Sequence, residues 1–297
     1  MKRLLMVLGI AGLVGTPPAW GWWTNGHYVL TKAAVTALPE GMPAFFRSGA
    51  GMVAHLSMDP DVSKNRGTPS LRGAEYPEHF LDREYLDGHD LPGSRYEFIK
   101  LCYDAGVRPE KVGLVPYALA EWTERLTVAF AEHRKWPENL AIQQKCLVYA
   151  GFLSHYAQDM CQPLHLTIHY NGRIGGDESV AQKGIHSKID GLIENLKMEP
   201  AALAKGQTVT PLEDLMPGIL AEFEAGFALV DHVYELGPQI PAGPDENWKP
   251  VPEVAAFAAD RSREAVRFTA SLYLTAWRLS KGIELPGFLN RPPTGQQ

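Results

Sequence analysis

The tightest constraint on the fold is the segment 138–160, an apolar run at helical spacing that ends in Leu153-Ser-His-Tyr-Ala-Gln-Asp-Met-Cys-Gln-Pro-Leu-His165. His155 and Asp159 are four positions apart, so the two share one face of the last helical turns. Pro163 ends the helix and turns His165 back toward that face. This placement suits metal ligation, because nitrogen and oxygen donors converge on one point. Taken alone, a His-x-x-x-Asp pair is more often a capping or surface pair.

The pattern recurs in Gly184-Ile-His-Ser-Lys-Ile-Asp190, which sets His186 and Asp190 on a common helical face. Upstream, Glu78-His-Phe-Leu-Asp82 places His79 beside Phe80, and Met58-Asp-Pro-Asp-Val-Ser-Lys64 offers carboxylates in a loop. Asp82 stands three residues after His79, where it would orient that imidazole through its other nitrogen. His55, His89, His133 and His232 have no partner at ligand spacing, and His169 reads as a loop histidine.

The first residues have the form of an export signal: Lys2 and Arg3, an apolar run from Leu4 to Val14, and the small-residue pattern Ala19-Trp20-Gly21. That run is too short to span a bilayer. Cleavage after Gly21 would begin the mature chain with Trp22-Trp-Thr-Asn-Gly-His27, whose free α-amine and first carbonyl oxygen can chelate a metal. The expected organisation is a signal peptide 1–21, one domain over 22–290 and a disordered tail 291–297. The destination is outside the cytoplasm, periplasmic or secreted, with no stable membrane insertion and no inferable protein partner.

Helical spacing dominates the rest, over 25–38, 43–54, 114–133, 138–160, 185–196, 212–235 and 252–283. Strand-like alternation is scarce. Between the helices lie polar stretches rich in Gly, Pro, Asp or Asn at 57–78, 85–95, 166–184 and 236–251, expected to be long functional loops. The fold class is therefore all-α, a single compact multi-helix domain. Three cysteines, Cys102, Cys146 and Cys161, are too few for a disulfide scaffold and read as packing residues or one optional bridge. The formal net charge of −6 gives no broad basic footprint, which disfavours tight duplex binding but leaves room for bound divalent metals to reverse the field locally.

In motif order these blocks resemble the zinc-dependent phospholipase C and single-strand-specific nuclease superfamily, the latter of the S-one/P-one type. The resemblance rests on an N-terminal Trp followed by Gly-His, an Asp in a loop, His-Phe-x-Asp, His-x-x-x-Asp-x-x-x-x-x-His enclosing Gln-Pro, and a final His-x-x-x-Asp. It implies three Zn2+ ions. Asp61, His79, His155 and Asp159 would hold one, with Asp159 bridging to a second held by Trp22 and His27. His165, His186 and Asp190 would hold the third. Asp61 is preferred to Asp59 because Lys64 then follows three residues later, where the nuclease branch carries a cationic Arg.

The chemistry implied is phosphate ester hydrolysis by a zinc-activated hydroxide attacking phosphorus in line. Asp61 would orient or deprotonate the water, and Lys64 would steady the phosphoryl oxygens as a point charge. Single-stranded nucleic acid or a 3′-nucleotide is the expected substrate. The reasons are the five-residue step from Trp22 to His27, Asp at 190, the cation after Asp61, and Phe80 as a base-stacking platform. The alternatives are a phospholipase C acting on phospholipid head groups, and a non-catalytic exported zinc-binding protein.

Overall fold

The computed structural model describes residues 22–291 apart from 87, 175–179, 244 and 246. The expected export segment 1–21 and residues 292–297 lie outside the described residues. Arg291, read as the start of a disordered tail, is held by Glu132 at 2.7 Å.

Two antiparallel 21-residue helices form the axis, α8 (Val115–Lys135) and α9 (Leu140–Met160). Asn139 starts α9 by accepting the Ile142 amide, one of the donors that a helix N-terminus leaves without a partner. Around this pair pack α1 (Thr24–Thr36), the broken pair α2 (Ala44–Ser48) and α3 (Ala50–Leu56), and the long C-terminal α15 (Pro252–Leu279). Leu30, Phe46, Leu126, Phe130, Leu153, Phe268 and Tyr273 meet in the main core. A smaller cluster joins Leu164 and Ile189 to Val233 and Val254. It ties α10 (Ile185–Asp190) and α11 (Leu192–Asn195) to α14 (Val230–Leu236) and α15. The remaining helices are α4 (Asp59–Ser63), α5 (Pro69–Glu75), α6 (Arg95–Asp104), α7 (Pro109–Val112), α12 (Pro200–Ala204) and α13 (Leu215–Phe227).

The protein is an all-helical single domain. Among the described residues the only strand pairing beyond an isolated bridge is a two-residue antiparallel ladder, Arg173–Ile174 with Val180–Ala181. No described helix is long and apolar enough to cross a membrane.

Several expectations are corrected. The stretch 57–78 is not a long loop. It folds into α4, α5 and the start of a 3-10 turn over Tyr76–His79, because Pro60 and Pro69 sit in the first turns of their helices, where the missing N–H costs nothing. The helix expected over 43–54 breaks at Gly49, where a Cβ would lie 2.6 Å from the Leu147 side chain. That over 212–235 is divided between α13 and α14. α6 was missed, although Ser94 caps it by accepting the Glu97 amide and donating to the Glu97 carboxylate. All three cysteines are free and buried.

Candidate metal centre

α9 delivers His155 and Asp159 into the interior, both with no exposed surface. Gly151 allows this depth: α3 runs so close that a Cβ there would lie 2.5 Å from Leu56 Cβ. The Ser57 carbonyl, just beyond α3, accepts the His155 Nδ1 proton at 2.8 Å. Beyond the end of α9 the Gln162 side chain accepts the Leu164 amide and fixes the turn Pro163–His165. His165 thereby returns to the site, with Nδ1 donating to the His79 carbonyl at 2.7 Å. The opposite wall carries His79, followed by the extended Phe80. Leu81 N donates to the His165 carbonyl and Val115 N to the Phe80 carbonyl. Gly113, at φ 99°, makes this contact possible, since a Cβ there would lie 2.1 Å from the Phe80 oxygen.

Three buried groups of donors result: His27, His155 and Asp159; Asp61, His79 and His155; and His165, His186 and Asp190. Asp159 lies at the centre, with Oδ2 3.0 Å from His79 Nδ1 and 3.2 Å from His155 Nε2, and Oδ1 3.4 Å from His27 Nε2. Asp61 Oδ1 is 3.7 Å from His155 Nε2 and 3.9 Å from His79 Nδ1. Asp59 does not enter any of these groups. In the second pair, His186 Nε2 lies 3.2 Å from both Asp190 Oδ2 and His165 Nε2.

The donors' protonation tests whether a cation belongs here. His155, His165 and His186 each give their Nδ1 proton to a main-chain oxygen, of Ser57, His79 and Tyr170 respectively. His27 gives its own to Gln158 Oε1 at 2.7 Å, while the Gln158 amide nitrogen is committed to Thr31. Each ring therefore turns its Nε2 inward, toward carboxylates and toward the other rings. Two lone pairs 3.2 Å apart beside a carboxylate repel unless something positive lies between them. His27 Nε2, Asp159 Oδ1 and Asp61 Oδ2 are buried and make no hydrogen bond, which is costly in an interior without a cation. Imidazole and carboxylate donors are the set that zinc takes, so the residues fit the metal.

The carboxylates compete for a positive charge at this point: burial would lower His155, but Asp159 and Asp61 raise it. Burial would raise the Asp61 carboxyl, but His155, Lys64 and His79 outweigh it and hold it down at about 2. Burial would likewise raise Asp159, yet the rings of His155 and His165 keep it well below the usual carboxylate range. His186 falls to about 3 through burial and the neighbouring His165, so it stays neutral and able to ligate. Burial also lowers His27 and His165. Asp190 is pushed well up by burial, against a hydrogen bond from Gln162 Nε2 at 2.8 Å.

The centre opens into a cleft of about 330 Å³ lined by His79, His165 and His186, with Lys64, Phe80, Asp82, Tyr85 and Tyr170 among its other walls. Lys64 is ion-paired with Asp61. Trp22 is buried, with its indole donating to the Gln158 carbonyl at 3.1 Å and its Cβ 3.0 Å from the position a Cβ on Gly26 would take. Trp22 thus lies against α9, beside Gln158, the residue before Asp159.

Asp82 does not orient His79. Its amide donates to the Val112 carbonyl, and burial, reinforced by Glu84, lifts its carboxyl to about 8. Glu75 faces His79 Nε2 instead, at 3.6 Å, and accepts the buried Tyr156 hydroxyl. Sequence reasoning missed Glu75, although Glu-x-x-x-His is itself a helical pairing. It also missed Gln158 and Gln162. The other histidines stay outside the centre: His55 and His89 are exposed, His133 packs on Phe45, and His232 pairs with Glu235.

No family model and no curated protein matches the chain. Among solved structures the fold is similar to the alpha-toxin of Clostridium perfringens from an avian strain, with a TM-score of 0.45 and 14% identity over 89% of this chain and 67% of that one. It is also similar to the alpha toxin of Clostridium absonum, with a TM-score of 0.47 and 13% identity over 89% of this chain and 66% of that one. The chain spans about two thirds of the length of these toxins.

Proposed function

We propose that this chain is an exported zinc-dependent phosphoric ester hydrolase whose three donor groups each hold one zinc ion. The observation that carries the reading is the convergence of buried imidazole nitrogens and carboxylates, in three groups, at the floor of an open cleft. Asp61, His79, His155 and Asp159 hold one ion, and His165, His186 and Asp190 another. The remaining ion takes His27, Asp159 and, after cleavage behind Gly21, the amine and carbonyl of Trp22. Bound zinc supplies Lewis acidity and lowers the pKa of a coordinated water toward about 7. Asp61, kept ionised by its neighbours, accepts a hydrogen bond from the attacking water and orients it. Lys64 places a positive charge at the cleft wall, where the phosphoryl oxygens develop charge.

For the substrate we favour single-stranded nucleic acid or a 3′-nucleotide. The half-buried Phe80 ring and the carboxyl of Asp82, which burial keeps protonated at neutral pH, line the same cleft. A stacking face beside a group that both donates and accepts hydrogen bonds suits a nucleobase. The second reading is a phospholipid head group, supported by the four rings of Tyr76, Phe80, Tyr85 and Tyr170 around the cleft, which suit a quaternary ammonium.

The test is a substrate panel on protein beginning at Trp22 and loaded with zinc: single-stranded DNA, RNA, a 3′-nucleotide and phosphatidylcholine. Release of nucleotides or phosphate from the first three supports the favoured reading, and phosphocholine release alone supports the second. Zinc-loaded protein inert on all four refutes hydrolase function. The full-length precursor lacks the Trp22 amine, so precursor as active as the trimmed chain would remove Trp22 from the ligand set.

A further inference from the structure

A second depression, of about 460 Å³, adjoins the metal-floored cleft and shares Tyr76 and Glu110 with it. Its walls carry two guanidinium groups, Arg66 and Arg72. We propose that Arg66 and Arg72 form a second anion subsite, which holds the neighbouring phosphate of a single-stranded polynucleotide whose scissile phosphate lies over the metal centre. The proposal rests on the nucleic-acid reading above and narrows it from nucleotides to strands.

Three observations carry it. First, neither guanidinium is neutralised: no carboxylate lies within ion-pair distance of Arg66 or Arg72 among the described residues. The acid in the depression, Glu110, is occupied by Arg108 at 2.9 Å. Second, Arg72 is already in place. It donates to the Lys64 carbonyl and lies over the Tyr76 ring, 4.9 Å from its centre. A guanidinium fixed in this way loses little freedom when it meets a phosphate, and its forked donors match phosphate oxygens. Third, the groups form a continuous track. Phe80 lies at the metal-floored cleft, Tyr76 meets it edge to face at 5.6 Å, and Arg72 covers Tyr76. Stacking faces interleaved with cations are how single strands are followed without sequence preference. On a chain of net charge −6, a local cationic track also directs a polyanion to this face.

The experiment compares a 3′-mononucleotide with a short oligothymidylate on the zinc-loaded protein, for wild type, Arg66→Gln/Arg72→Gln and Arg66→Lys/Arg72→Lys. The readouts are the ratio of kcat/KM for the oligomer to that for the mononucleotide, and the salt dependence of oligomer binding. In the glutamine variant the ratio should fall about tenfold, and the log–log salt slope should shrink by about 1.4, the value for two lost contacts to a single strand. The lysine variant should recover most of the slope. An unchanged ratio and slope, with wild type cleaving the oligomer, overturns the subsite and leaves the nucleic-acid reading standing. Equal losses on both substrates overturn it too, because the arginines would then act only through Lys64. Wild type that hydrolyses phosphatidylcholine and neither nucleotide substrate overturns both readings, and arginine-dependent binding to anionic vesicles would then reassign the track to a membrane surface.

Discussion

Replacing Asp159 by Asn tests the core of the site, because its two carboxylate oxygens face different imidazoles. Its Oδ2 faces His79 and His155 at 3.0 and 3.2 Å, and its Oδ1 faces His27 at 3.4 Å. Asn preserves the volume but removes the charge and turns one acceptor into an NH2 donor aimed at bare nitrogen lone pairs. The third group is independent, since Asp159 approaches His165 only at Nδ1, 3.8 Å away, and that nitrogen is committed to the His79 carbonyl. Losing an orienting partner outside the ligand set costs about 10–100-fold in metal affinity, so losing a direct ligand should exceed about 100-fold for each of two ions. That corresponds to more than about 2.7 kcal/mol per ion. At free zinc about tenfold above the wild-type Kd, wild-type sites are roughly 90% filled, and the two affected sites of the variant are below roughly 10% filled. Elemental analysis after dialysis against buffered zinc should therefore fall from about three ions per chain to about one. Circular dichroism of the metal-free proteins checks that both are folded. Full zinc content in a folded variant would refute the bridging role, and loss of a single ion would confine Asp159 to one group.

Glu75→Gln should weaken the ion held by His79 by about 10–100-fold in chelator competition, and an unchanged affinity would reduce Glu75 to a packing partner of Tyr156. Asp82→Asn concerns stability. The folded carboxyl, at about 8, binds its proton more tightly than the unfolded one, whose ordinary value is 3.8. The native state therefore carries the extra proton between these values, and wild-type stability falls as pH rises through that window. Urea melts should find the variant more stable near pH 7, by on the order of 2 kcal/mol, with a flatter dependence on pH; equal slopes would contradict the buried, protonated carboxyl. Gly151→Ala drives a methyl into Leu56 and should cost about 1–3 kcal/mol in thermal or urea unfolding, with weaker zinc binding as Ser57 shifts away from His155.

The helical period made His155 with Asp159 and His186 with Asp190 legible, because four residues return a side chain to the same face whatever surrounds it. Pro163 likewise announced the return of His165. The preference for Asp61 over Asp59 rested on the spacing to Lys64 alone, and the structure supplies the geometric reason: the two flank Pro60 on the short helix α4, and a step of two residues turns a side chain to the opposite side of a helix. Glu75 escaped although it stands four residues before His79, because 57–78 was read as loop and helical spacing was not applied there. Asp82 looked like the natural orienter of His79, but the chain extends at Phe80, and extension carries Asp82 away to the cleft wall. The loop at 57–78 was overestimated because proline density was taken as a lack of structure, when Pro60 and Pro69 were opening short helices.

Three of the four inward-facing imidazoles that release Nδ1 protons release them to peptide oxygens, those of Ser57, His79 and Tyr170. A peptide oxygen is present whatever side chain its residue bears. The aim of these rings is thus insulated from point substitution at residues 57 and 170 and exposed only to displacement of the main chain. Reprogramming the centre for another metal would accordingly require moving α3 or the segment around Tyr170, whereas the ligands themselves could be exchanged within an aiming frame that persists.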